Sequence, residues 1–462
     1  MSSLSPREEF PRVLIVSGAV LDRTTGTGIT LSNLFAGWPA DRLSQLYLED
    51  REPGPGIGGT FRRFVLENAP VEHHALRLWH RIRRHPTSGT VGPEVEQPAV
   101  APLPGPLRAR LRIQFRAFFD LSPIRVPHDV RAWLRAQRPE VIYTTIGSIR
   151  VMRLAVVAAE ECRASLVPHF MDDWPSTLYA QGQVLGLPRL AVRAGVRKTL
   201  RHSSYGMGIS EPMAREYERR YRLPFATFGN CVNAAEFAAP DASPDLEQDR
   251  PVVELVYVGG LHLDRWRSLR RVCEAVGLLA ARDVPVRLTV HAPTADLVHY
   301  GDAFAGLSAV RLGRSLDSAE VGAVLRRSDV LVHVESFAAE HRRYTRYSLS
   351  TKIPQYLAAG RPLLGFGPAE LASMAHIGAA RAGVVVGVDD PTALATELSR
   401  LCTDRALRDR LGRQGLAYAV RHHRADQVAA RFAEVLREAA GRPTGLPSAH
   451  RRRLQAAEVS RG

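Results

Sequence analysis

Short apolar runs bounded by turn residues recur along the chain, separated by stretches whose apolar positions return with a helical period. Residues 12–17 predict a buried strand, and a glycine-bearing turn at 25–30 leads into a helix through Leu34. Residues 45–48 predict a second strand. An irregular basic insertion then occupies roughly 51–127, its Pro/Gly/Arg-rich part spanning 51–106. Order returns with a helix at 128–137, a strand at 141–144, a helix at 148–161, a strand at 165–170, a helix near 188–202 and a strand at 205–209.

Residues 239–251, polar and proline-containing, read as a linker, after which the pattern restarts. Strands are expected at 252–258, 286–290, 329–334, 362–366 and 384–388, with a closing helix at about 424–438. Such alternation predicts an α/β chain of two doubly wound, Rossmann-like halves, each a parallel sheet with helices on both faces. The expected division is a first domain at 1–238, the linker, a second domain at 252–423, a helix at 424–440 and a mobile basic tail at 441–462. Two such halves imply a cleft, and in open α/β sheets ligands sit beyond the carboxyl ends of the strands.

Composition narrows the class. The 462 residues are 45% hydrophobic, enough for more than one packed core. Four cysteines, Cys162, Cys231, Cys273 and Cys402, lie far apart without ligand-like spacing, which argues against a disulfide scaffold or a structural zinc site. The polar N-terminus lacks a signal-peptide pattern, and no window supplies the ~20 apolar residues of a membrane span, so a cytosolic protein is expected. The net charge of +15 calls for an anionic partner. Without a recognisable nucleic-acid-binding motif, nucleic acid is the weakest choice.

Chemistry concentrates at residues 348–367, which read as a polar loop, a short helix closed at Gly360 and a buried strand. Of 62 basic residues only two are lysines, Lys198 and Lys352, and Lys352 falls at the expected helix start beside Ser350 and Thr351. A compact ammonium there suits a phosphate; an ordinary capped helix with a surface lysine is the plainer alternative. Gly26 and Gly28 follow the first strand, but Leu31 stands where a dinucleotide-binding fingerprint needs its third glycine, so NAD is disfavoured. His169, Asp172 and Asp173 close the strand at 165–170 and could orient hydroxyls or move a proton; a capping Asp beside a satisfied His is the alternative.

The order of these features resembles the GT-B glycosyltransferases of the GT4-like retaining group, over roughly 12–50 and 128–438. The likeness is strongest in residues 209–217, 228–233, 255–260 and 329–367. It implies a GT-B fold: two Rossmann-like domains facing across a cleft, the first for the acceptor, the second for a nucleotide diphosphate sugar, with the last helix crossing back. It places Ser350, Thr351 and Lys352 at the donor diphosphate, with Arg265 favoured over Arg267 as the second cation. It places His169 facing the sugar, and Gly26 and Gly28 in a glycine loop near the reacting groups. The donor is a co-substrate, no cofactor is implied, and no metal-ligand cluster is visible, so fixed cations must carry the leaving group's charge. Many relatives carry two glutamates eight positions apart; here Tyr347 and Gln355 stand at that spacing, which weakens the expected grip on the nucleotide. Glu335 is a candidate ligand for a sugar hydroxyl, with a plain surface glutamate as the alternative.

Leu107, Leu111, Phe115, Phe118 and Phe119 could line one face of a helix whose other faces carry Arg108, Arg110, Arg112 and Arg116; a strand fits the same stretch. The helical reading makes an anionic membrane surface a candidate partner. It favours a lipid-linked hydroxyl acceptor in envelope or surface-polysaccharide synthesis, at the inner face of the membrane. A soluble natural-product acceptor and a non-catalytic nucleotide-sugar-binding protein are the alternatives.

Overall fold

The computed structural model describes residues 10–22, 26–54, 56–65, 107–237 and 252–441. The chain forms two compact units, Met1–Phe228 with Ala430–Gly462, and Gly229–Ala429.

The first unit holds a seven-stranded, all-parallel sheet: β1 (Val13–Ser17), β2 (Leu43–Tyr47), β3 (Thr60–Arg63), β4 (Val141–Thr145), β5 (Ser165–Phe170), β6 (Gly206–Gly208) and β7 (Phe225–Thr227). Their order is β3-β2-β1-β4-β5-β6-β7, so the order reverses between β1 and β4. Every residue of β1, β2 and β5 is buried, as expected of strands covered on both faces. Ser148 starts the helix Ile149–Cys162 by accepting a hydrogen bond from Val151 N (3.2 Å). The last helix, Ala425–Gly441, joins this unit from Ala430 onward. There Phe432, fully buried, meets Phe35, Tyr143 and Phe228 edge-on, so the crossing-back helix closes the core of the first unit.

The second unit holds six parallel strands: β8 (Val253–Val258), β9 (Val286–His291), β10 (Val310–Leu312), β11 (Val330–Val334), β12 (Leu363–Phe366) and β13 (Gly383–Val386). The order β10-β9-β8-β11-β12-β13 reverses between β8 and β11. Leu255, Tyr257, Val290, Val332 and Leu364 belong to its buried core. The sheets and their helices make this a two-domain α/β fold, as the alternation of the sequence predicts.

Local differences have physical causes. The basic insertion is not wholly irregular: Thr60–Arg63 adds a parallel edge strand to β2, and Leu107–Leu121 is a helix. A four-residue edge strand with two arginines reads as polar loop, because an edge needs no buried face. The turn expected at 25–30 is the start of the helix Gly26–Leu34, which puts Gly26 and Gly28 inside its first turn. The proposed linker at 239–251, residues 66–106 of the Pro/Gly/Arg-rich part of the insertion and the tail from 442 lie outside the described residues. Among the described residues no helix is long and apolar enough to cross a membrane.

Candidate functional site

At the reversal point of the second sheet the carboxyl ends of β8 and β11 lie side by side, where an open α/β sheet receives its ligand. β8 runs into Gly259 and Gly260, and the absence of a side chain at Gly259 lets Lys352 come close. A Cβ built there would lie 2.0 Å from Lys352 Nζ. Tyr257 OH donates to Gly260 O (2.6 Å), and Leu261 N donates to the Asp296 carboxylate (2.6 Å), which fixes this turn. The helix Arg265–Ala280 follows, presenting Arg265 from its first residue.

β11 delivers Glu335 one residue beyond its end, held by Glu335 N donating to Phe366 O (3.0 Å). Arg265 grips that carboxylate with two bonds, Nε to Oε2 at 3.1 Å and Nη2 to Oε1 at 3.2 Å. His333 Nε2 stands 3.2 Å from Oε1 on the other side, and Ser268 Oγ donates to Glu335 O (2.8 Å). With a side chain only 3% exposed, Glu335 faces Arg265 and His333.

Lys352 precedes the short helix Ile353–Ala358, which ends before Gly360 in the left-handed region (φ 68°). Ser350 and Thr351 therefore sit in the turn ahead of the helix rather than in it. That turn is fixed from outside: Asn230 Nδ2 donates to Thr351 O (2.7 Å), and Ser350 N donates to Ser373 Oγ (3.0 Å). Tyr356 ties the helix to β8 through both backbone groups of Val258, each at 3.0 Å.

Charge at this point is held against solvation. Burial works against the Glu335 carboxylate, yet Arg265 and His333 overcome it and hold its pKa at about 2. Burial and then the neighbouring Arg265 charge bring the Lys352 ammonium down to about 7, although Glu335 and Asp296 oppose the change. Burial likewise lowers His333, against the pull of Glu335. Two cations and one carboxylate thus share a desolvated corner, an arrangement that an added anion would relieve.

Other expected residues are placed differently. Arg267 turns outward to Asp264 (2.8 Å) and lies over the Trp266 ring, away from Glu335. Gln355 Nε2 donates to Glu236 Oε2 (3.1 Å), so a carboxylate from another part of the unit stands where the helix itself carries an amide. Tyr347 is partly exposed with Arg346 over its ring. In the first unit His169 is fully buried, its Nδ1 2.5 Å from Tyr143 OH, and burial drives its pKa down to about 3. Asp173 is also buried and accepts from Tyr217 OH (2.7 Å) and Ser176 Oγ (2.9 Å), whereas Asp172 stays partly exposed. Gly28 is buried and Gly26 exposed at the start of their helix. Asn230, Asp296 and Ser373 escaped sequence reasoning because each acts through a backbone group far along the chain, and His333 because only the fold turns it and Glu335 into the same buried corner. Asn230 and His333 had a local signal, since they lie within the resembling stretches 228–233 and 329–367. Among the described residues no group of three or more His, Cys, Asp or Glu side chains is arranged to hold a metal ion.

A family model described as glycosyl transferase-like matches residues 267–434, the segment that contains Glu335, Lys352 and Gln355. The chain carries a glycosyl transferase-like domain on a GT-B fold. The fold is shared with Anabaena HepE in complex with UDP and glucose (TM-score 0.60, 12% identity, 92% of this chain and 99% of that one). It is shared too with the sucrose-phosphate synthase of Thermosynechococcus elongatus (TM-score 0.55, 14% identity, 92% and 98%). WaaG, a glycosyltransferase involved in lipopolysaccharide biosynthesis, aligns with a TM-score of 0.55 at 12% identity over 92% of this chain and 99% of that one. No curated protein matches the sequence.

Proposed function

We propose that this glycosyl transferase-like chain moves a sugar from a nucleoside diphosphate sugar to a hydroxyl acceptor, with its second unit holding the donor. The observation that carries the reading is the meeting of Lys352 and Arg265 beside the Gly259 turn, at the reversal point of the sheet. Loss of the sugar leaves a nucleoside diphosphate whose charge grows in the transition state. Two fixed cations in desolvated surroundings favour that state over the ground state. Arg265, oriented by Glu335, and Lys352, set by the turn at Ser350 and Thr351, are the groups assigned to the diphosphate. Glu335 in this account is the positioning residue for Arg265 rather than a ligand of the sugar.

Further features follow from the same reading. With its charge stabilised by side chains, the reaction runs without a metal ion. The leaving phosphate takes the acceptor proton, which corresponds to retention at the anomeric carbon. An envelope or surface-polysaccharide acceptor is supported by the likeness to WaaG, and UDP is the first nucleotide to test because HepE was captured with UDP. The test is a panel of UDP, GDP, ADP and dTDP with their sugars, read as a rise in melting temperature. One nucleotide, with UDP expected, should raise it by several degrees, and Lys352→Ala should remove the rise. A chain that responds to none of them is not a sugar transferase of this kind.

A further inference from the structure

An apolar patch on the first unit has no part in the donor site. Phe115 and Phe118 are 54% and 51% exposed on the helix Leu107–Leu121. That helix packs against the helix Leu187–Arg201 and the turn Gln183–Gly186 before it, which add Leu185, Leu187 and Leu190 at 96%, 51% and 58% exposure. Val184 N donates to Gln114 Oε1 (2.7 Å), which locks the turn beside Phe115. Val184 and Leu185 both occupy the left-handed region, at φ 45° and 55°. A β-branched residue is rarely found there, so local strain is spent on presenting Leu185 to solvent. Five large apolar side chains on adjoining elements exceed the scatter of single exposed hydrophobics on an ordinary surface.

The charges around the patch identify its partner. The helix Leu187–Arg201 contains five basic residues and no acidic one. Arg193, Arg197 and Lys198 follow Leu187 and Leu190 along its exposed face. On the helix Leu107–Leu121 Arg116 is exposed, whereas Asp120 is buried. A second copy of this chain would bring like charge against like. We infer that this surface docks on an anionic lipid bilayer. The Leu185 turn and the two phenylalanines enter the headgroup boundary while Arg193 and Arg197 meet lipid phosphates. Docking of this kind holds the chain where an amphiphilic hydroxyl acceptor is concentrated, and it stands independently of the donor assignment.

The experiment is co-sedimentation of the full chain with phosphatidylcholine vesicles with or without phosphatidylglycerol. Three proteins are compared: the wild type, Phe118→Ser/Leu185→Ser and Arg193→Glu/Arg197→Glu. Wild type is expected to bind only the anionic vesicles and to be partly released by salt. Each double variant should bind about tenfold more weakly or worse, with its melting temperature and nucleotide response unchanged. Equal binding by wild type and Phe118→Ser/Leu185→Ser would overturn the assignment, because charge elsewhere would then suffice. Absence of wild-type binding, or lipid-free self-association abolished by that variant, would overturn it in favour of no partner or of a second copy. A protein that binds vesicles but answers to no nucleotide would sink the transferase reading and leave this one standing.

Discussion

The two sheets of the chain are wound alike, yet their carboxyl ends are furnished in opposite ways. Beyond β1 in the first unit, polar groups are spent on one another. Gln45 Nε2 donates to Ser17 Oγ (2.8 Å), Leu21 N donates to Gln45 Oε1 (3.1 Å) and Val20 N donates to Glu49 Oε2 (3.0 Å). His169 at the end of β5 is neutral, fully buried and edge-on to the Tyr143 ring. Beyond β8 and β11 in the second unit, the Arg265–Glu335 ion pair stands in desolvated surroundings beside His333 and a Lys352 ammonium that titrates at about 7. One topology therefore supports a settled polar network in one place and an unsettled charged one in the other. The difference lies in a few grafted side chains rather than in the fold.

The severest test of that contrast is Lys352→Ala. If the second sheet's corner carries the diphosphate, turnover should fall by about 10²–10³, the scale found when one transition-state donor is removed, with little change in melting temperature. Steady-state kinetics together with a thermal melt would check it, and unchanged transfer rates would break the contrast outright. Glu335→Gln should come next, at about tenfold in kcat/KM. Arg265 keeps a neutral acceptor in place of a charged one and loses part of its orientation. A Glu335→Gln enzyme with normal rates but altered sugar preference would return Glu335 to the sugar-ligand role that the sequence suggested.

How much of this was legible beforehand differs between the sheets and the site. Long strands such as the buried β5 and the partly buried β8, and helices with a clear period such as His128–Gln137, follow directly from apolar spacing. The three-residue strands β6, β7 and β10 are too short to carry a period, and the last two escaped. Lys352 stood out because lysine is rare in this chain, and Arg265 because the resemblance places a cation after the glycine turn. The pairing of Arg265 with Glu335, 70 residues away, leaves no local trace. Nor does the exchange at Gln355, where Glu236 stands 119 residues distant. His169 illustrates the converse: in sequence it could orient a hydroxyl, move a proton or be a satisfied histidine, while its pairing with Tyr143 from a separate strand leaves no local trace.

A gentler probe is pH, to which the two regions should respond differently. Lys352 titrates at about 7 in the free chain, against 10.5 as its ordinary value, so it is charged below pH 7 and neutral above. A bound diphosphate restores its charge, and binding then takes up a proton. Affinity should therefore fall with rising pH above 7, by up to about tenfold per pH unit. Lys352→Arg should flatten the curve, since a guanidinium stays charged throughout. The same shift fixes the sign for stability. Between pH 7 and 10.5 the unfolded chain holds more protons at this residue than the folded one, so the nucleotide-free protein should gain stability as pH rises through that window. Calorimetric titration of the nucleotide in buffers of different ionisation enthalpy would measure the proton uptake directly, and none at pH 8 would refute it.

The smallest effect on donor binding is expected from His169→Phe, and it is the one that probes the first unit. With its pKa at about 3, His169 is neutral across the working range and cannot supply a titration near neutrality. Replacement by Phe keeps a flat ring against Tyr143, but it removes the Nδ1 partner of Tyr143 OH, which is itself fully buried. An unsatisfied buried hydroxyl costs about 1–3 kcal/mol, so the variant should melt earlier. Its nucleotide affinity and its pH–rate profile should match those of the wild type. The opposite pattern, an unchanged melt with a large fall in kcat, would mean that His169 reaches the reacting groups when substrates bind. The enclosed histidine of the first unit would then belong to the chemistry, and the division between a settled sheet and a charged one would hold only for the empty protein.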